Sequence, residues 1–95
     1  MKTSEQAQII AGYLKSRLPV ISIEHEWDAN LQIEWYFIGY NDRTIRLVVP
    51  GVFFDSISAD EINKKLESLR LADGIENLKT EYIIINNSGS GYETF

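Results

Sequence analysis

Three runs of the chain decide its fold: Val20-Ile21-Ser22-Ile23-Glu24-His25-Glu26-Trp27, Leu31-Gln32-Ile33-Glu34-Trp35-Tyr36-Phe37-Ile38-Gly39-Tyr40 and Thr44-Ile45-Arg46-Leu47-Val48-Val49. Each alternates with a period of two, the spacing at which a strand sends successive side chains to opposite faces. Asp28-Ala29-Asn30 and Asn41-Asp42-Arg43 separate them with turn-forming residues. Taken as three-residue loops, both turns put the odd-numbered residues of all three strands on one face. Ile21, Ile23, His25 and Trp27 then share a face with Leu31, Ile33, Trp35, Phe37, Gly39, Ile45, Leu47 and Val49. The spacing predicts an antiparallel meander whose odd face looks toward the core. A two-residue loop Asn41-Asp42 would instead put Trp35 and Phe37 opposite Arg46 and Val48. Asn-Gly favours that tight turn more than Asn-Asp does, so the three-residue loop is the expectation.

The flanking segments supply helices. Thr3-Ser4-Glu5-Gln6 reads as a capping box, Thr3 as N-cap with Gln6 reaching back. Ala7, Ile10, Ala11, Leu14 and Leu18 follow helical spacing, Tyr13 lies on the flank, and Pro19 closes the segment. Pro50-Gly51 breaks the third strand, and Ser58-Ala59-Asp60-Glu61 is a second capping box with Ile57 and Ile62 as its staple. Ile62, Leu66 and Leu69 form the apolar stripe, and Gly74 suits the position just past the helix end. Thr80 to Asn86 reads as a fourth strand, apolar on both faces, and Asn87-Ser88-Gly89-Ser90-Gly91 has a flexible linker composition. The expectation is one α+β domain over residues 1–86 and a flexible C-terminal tail over 87–95. Its order is α-β-β-β-α-β, a two-layer sandwich with the helices on one face of the meander and its fourth strand.

Composition narrows the function. With 95 residues, 44% of them apolar, there is material for one core and not two. The absence of cysteine removes disulfides, thiolate metal sites and thiol nucleophiles. No apolar run approaches the ~18–20 residues of a membrane span, and the first residues hold no signal-peptide core, so a soluble cytoplasmic protein is expected. Nine cations stand against fourteen anions, a net charge of −5. Only Lys64 and Lys65 are adjacent, and no basic stripe interleaves with the aromatics. Direct nucleic-acid binding and adhesion to anionic membranes are therefore not expected. An acidic domain is suited to another protein, one with a basic surface.

The α-β-β-β-α order resembles double-stranded-RNA-binding domains. That family reads RNA with a basic N-terminus on its second helix, where this chain has the acidic Ser58-Ala59-Asp60-Glu61. The resemblance therefore implies a topology and not the RNA activity. Over about residues 4–86 the element order is also similar to the front of type III secretion chaperones, which are small, acidic, cytoplasmic and dimeric. The last strand and helix of that family have no counterpart here.

With the odd face covered, the even face looks outward. Glu24, Glu26 and Glu34 make an acidic end, beside Tyr36, Ile38, Tyr40, Val48 and Arg46. Three-residue loops would set Glu24 directly opposite Glu34, an unfavourable like-charge pair that a basic partner would relieve. Tyrosine with arginine alongside is a composition enriched at interface hot spots. The expected function is a small acidic non-catalytic protein-binding module, of inhibitor, immunity-type, chaperone-like or phage antagonist kind, docking through that face. The alternatives are a self-associating structural subunit, a homodimer through the fourth strand, or a small-molecule-binding protein. No enzyme is expected: His25 is the only histidine, with no nucleophile elbow and no metal-binding histidine pair. Glu24 and Glu26 lie ~6.7 Å apart on one strand face but have no deep cleft around them. No metal or cofactor is expected.

Overall fold

The three alternating runs pair as an antiparallel meander: β1 (Ser22–Asp28), β2 (Ile33–Tyr40) and β3 (Arg43–Pro50). The structure is a computed structural model that describes residues 4–20, 22–40 and 42–95, with side chains from residue 5 onward. α1 (Ser4–Arg17) precedes the meander. α2 (Gly51–Asp55), α3 (Ala59–Leu69) and α4 (Leu71–Glu76) cross over from β3 to β4 (Tyr82–Ile85), which pairs parallel to β3. β5 (Tyr92–Thr94) then pairs antiparallel with β4. The result is an α+β fold with the helices on one face of a five-stranded sheet of order β1-β2-β3-β4-β5.

The register departs from three-residue loops at both turns. Asp28 pairs with Ile33, leaving a four-residue loop, and Tyr40 pairs with Arg43, leaving two residues. At the first turn the Asp28 carboxylate accepts the backbone N–H groups of Asn30 (3.0 Å) and Leu31 (3.1 Å). That local turn uses up Leu31, which is 62% exposed and lies outside β2. Gln32 completes the loop at φ 55°, and its carbonyl accepts the Gly51 N–H at 2.8 Å. At the second turn Asp42 sits at φ 62°, the left-handed conformation that a tight hairpin needs and that Asp tolerates better than most residues. Asn41 and Ile21 lie outside the described residues.

Two even-length loops reverse the facing of β2 alone. Ile23 in β1 and Ile45, Leu47 and Val49 in β3 still face the helices, whereas Glu34, Tyr36, Ile38 and Tyr40 in β2 are buried in place of Trp35 and Phe37. The expected pairing of Glu24 with Glu34 is replaced by Glu24 with Phe37 and Glu34 with Trp27. The like-charge argument for that face therefore falls.

The helical layer is tied down by two polar side chains, Gln6 and Tyr13. Gln6 is buried, and its side-chain amide donates to the carbonyls of Phe54 (3.0 Å) and Ile57 (3.1 Å). It thus satisfies carbonyls around the C-terminus of α2 that have no partner within the helix. The capping-box partner expected for it, Thr3, lies outside the described residues. The Tyr13 hydroxyl accepts the Ala72 N–H (3.3 Å) and donates to the Leu66 carbonyl (3.4 Å), bridging the end of α3 to the start of α4. Between them Arg70 adopts φ 54°, so the helix breaks there and not at Gly74. Gly74 lies inside α4, where an added Cβ would run into the Tyr92 hydroxyl. Ser58 has N-cap backbone geometry but makes no side-chain capping bond, so the second capping box does not form.

The segment read as a flexible tail closes the sheet. Ser90 N–H and the Ser88 hydroxyl both donate to the Asn86 side chain, and Gly89 at φ 71° lies against the ring of Phe53. That compact turn returns the chain for β5 to pair with β4. β4 therefore has a neighbouring strand on each side.

Candidate functional site

The helices cover one face of the sheet and leave the other open. Cross-strand pairing sets out the open face in rows. One row runs Glu24–Phe37–Arg46–Tyr82, the next Glu26–Trp35–Val48–Ile84–Glu93, and a third Asp28–Ile33–Pro50. Read along the strands, β1 presents a column of three carboxylates at the sheet edge. β2 presents Phe37, Trp35 and Ile33 beside it. Direct cross-strand neighbours have Cβ atoms ~4.5–5.5 Å apart, so each carboxylate stands next to an apolar side chain of β2.

The aromatic rings are ordered by strand geometry. Trp35 and Phe37 are two residues apart on one strand, and their ring centroids lie 6.3 Å apart with planes only 8° from parallel. That separation matches the ~6.7 Å repeat of a strand face, so the backbone itself spaces the pair. Arg46 stands on the far side. Its guanidinium lies 5.2 Å from the Tyr82 ring centroid and reaches the Glu81 carboxylate at 3.5 Å. Glu26, Asp28, Trp35, Phe37, Arg46 and Tyr82 together line an open depression of about 400 Å³.

Of the residues expected to form the docking surface, Glu24, Glu26 and Arg46 stand on the open face, and Val48 lies in its middle row. Val48 is itself buried, lying between Trp35 and Ile84. Glu34, Tyr36, Ile38 and Tyr40 are corrected to the opposite face, beneath the helices, because the even-length loops turn β2 over. Trp35, Phe37, Asp28 and Tyr82 replace them. The two-residue Asn41-Asp42 hairpin is the signal that would have placed Trp35 and Phe37 opposite Val48 and Arg46 on the outside.

On the covered face, Glu34 is 0% exposed and meets the only histidine. His25 Nδ1 and Glu34 Oε1 share a hydrogen bond of 2.9 Å. The His25 ring also lies 5.7 Å from that of Tyr36. Burial, and secondarily the negative charge of Glu34, hold the Tyr36 phenol well above its ordinary titration range. The Tyr36 hydroxyl donates to the Ala7 carbonyl at 3.5 Å, a long bond. These groups join β1, β2 and α1 from within, and they lie on the face opposite the depression.

Among the described residues no group of three or more His, Asp or Glu side chains is arranged to hold a metal ion. Among them, too, no helix is long and apolar enough to cross a membrane. Comparison with protein-family models, with curated proteins and with solved structures finds no match.

Proposed function

We propose that this chain is a small non-catalytic protein-binding module that docks a partner through the open face of its sheet. One observation carries the proposal: Trp35, Phe37, Tyr82 and Arg46 converge on one depression across three adjacent strands, with carboxylates along its edge. Tryptophan, tyrosine and arginine are the residues most enriched at the positions that supply interface binding energy. The Glu24, Glu26 and Asp28 column gives the face a sign, and the complementary partner surface is basic. Inhibitor, immunity-type, chaperone-like and antagonist roles are all served by such a face. A second reading, small-molecule binding, draws on the volume of the depression, which lies within the range of ligand pockets.

The test is affinity capture from the source cells with the wild-type chain and with the Trp35→Ala and Phe37→Ala variants. A protein retained by the first and lost from both variants is then purified and titrated calorimetrically. Loss of a buried aromatic anchor weakens such a complex by about 2 kcal/mol or more, roughly 30-fold. A purified partner that binds both folded variants as tightly as wild type refutes docking through this face. A metabolite panel that raises Tm while no protein is retained favours the second reading.

A further inference from the structure

We infer that the depression on the open face, at its Glu26 and Trp35 end, receives an arginine side chain presented by the partner protein, an inference that rests on the docking reading. The carboxylates and the rings are direct neighbours: Glu26 pairs with Trp35 and Glu24 with Phe37. A planar cation lying over Trp35 is therefore within reach of the Glu26 carboxylate without any strand moving. The cation already present, Arg46, has partners at the opposite end of the depression from Glu26: it pairs with Glu81 and lies over Tyr82. Among the described residues Glu24 and Glu26 form no ion pair. Asp28 spends one oxygen on the turn it organises, and the depression's side-chain carboxylates, Glu26 and Asp28, outnumber its one cation, Arg46. Partly desolvated rings flanked by carboxylates reward a positive charge twice, through the ring faces and through Coulomb attraction.

Arginine suits the site better than lysine. Its flat guanidinium stacks on an indole while its forked donors point sideways toward a carboxylate, and an ammonium satisfies one demand at the expense of the other. Arg46 on Tyr82, with Glu81 at its side, is an internal example of the same arrangement on the same sheet.

The full chain, labelled with nitrogen-15, is titrated by NMR with Nα-acetyl-arginine amide, its neutral isostere Nα-acetyl-citrulline amide, and Nα-acetyl-lysine amide. The indole N–H of Trp35 and the amide of Glu26 should shift progressively with the arginine compound, which should bind at least about fivefold more tightly than citrulline. The Glu26→Gln, Asp28→Asn double variant should erase that difference, and salt should weaken it. Citrulline binding as well as arginine, lysine binding as well as arginine, or an unchanged double variant each overturns the inference. The two levels separate with the captured partner. If it needs Trp35 and Phe37 but binds the double variant at full affinity, docking survives and the arginine site does not. If it ignores Trp35 and Phe37, docking itself fails.

Discussion

Replacing His25 by alanine removes the 2.9 Å hydrogen bond to Glu34, a carboxylate with no solvent exposure. Hydrogen bonds to charged groups contribute about 1.5–3 kcal/mol, and stripping one partner from a fully buried pair costs about 3–5 kcal/mol. The His25 side chain is 37% exposed, so water can enter where the ring stood and moderate the loss. The expected cost is about 2 kcal/mol, against a total stability of about 5–14 kcal/mol for a domain this size. Urea unfolding followed by the fluorescence of Trp27 and Trp35 measures it. With a slope of about 1 kcal/mol per molar the midpoint falls by roughly 2 M, and Tm falls by about 8–16 °C. Glu34→Gln keeps the side-chain volume and an acceptor for Nδ1, and should cost about 1–2 kcal/mol. The double variant closes the cycle, with a coupling of at least about 1 kcal/mol. A coupling within about 0.3 kcal/mol of zero would show that the two side chains do not act on one another, and the reasoning would be refuted.

Tyr36→Phe should alter the alkaline limb of stability. The buried phenol keeps its proton in the folded chain and loses it when unfolded above pH ~10, so its contribution is intact below that pH and declines above it. The difference in stability between wild type and the variant should fall by about 1.4 kcal/mol per pH unit above that point, and parallel profiles would contradict the assignment. Gly89→Ala forces a side chain onto φ 71° with its Cβ 2.7 Å from the Phe53 ring. About 2 kcal/mol or more should be lost in urea unfolding, with exchange protection of β5 lost first; an unperturbed variant would show that the turn is not held as described.

The element types were readable because period and punctuation agree over most of the chain. β1 and most of β3 alternate, and α1 and α3 bury the stripes their spacing marks. The facing of β2 was not readable from alternation, since both of its faces are apolar: Trp35 and Phe37 on one, Tyr36 and Ile38 on the other. The facing therefore rested on loop length, and Glu34, a carboxylate that alternation sets toward solvent, is buried instead. Its partner, His25, sits on the adjacent strand, and only the register brings the two together. The register in turn depended on single side chains in the turns, Asp28 holding one extra residue and Asp42 tolerating a left-handed backbone. Two loop lengths misjudged in opposite directions cancel across the meander. β1 and β3 were therefore oriented correctly while the strand between them was inverted. β5 was hidden for another reason: three residues are too few for a pattern, and pairing rather than propensity makes them a strand.

Those three residues also act as a guard. β4 reads Tyr82-Ile83-Ile84-Ile85, the most uniformly apolar strand in the sheet, and its outer edge is covered only by β5 and by the Phe95 N–H, which donates to the Tyr82 carbonyl at 3.1 Å. Removing residues 92–95 would strip that cover and leave three consecutive isoleucines with unpaired backbone N–H and C=O groups along one edge, a template for intermolecular stacking. The three residues of β5 thus shield the strand whose exposure would most invite aggregation.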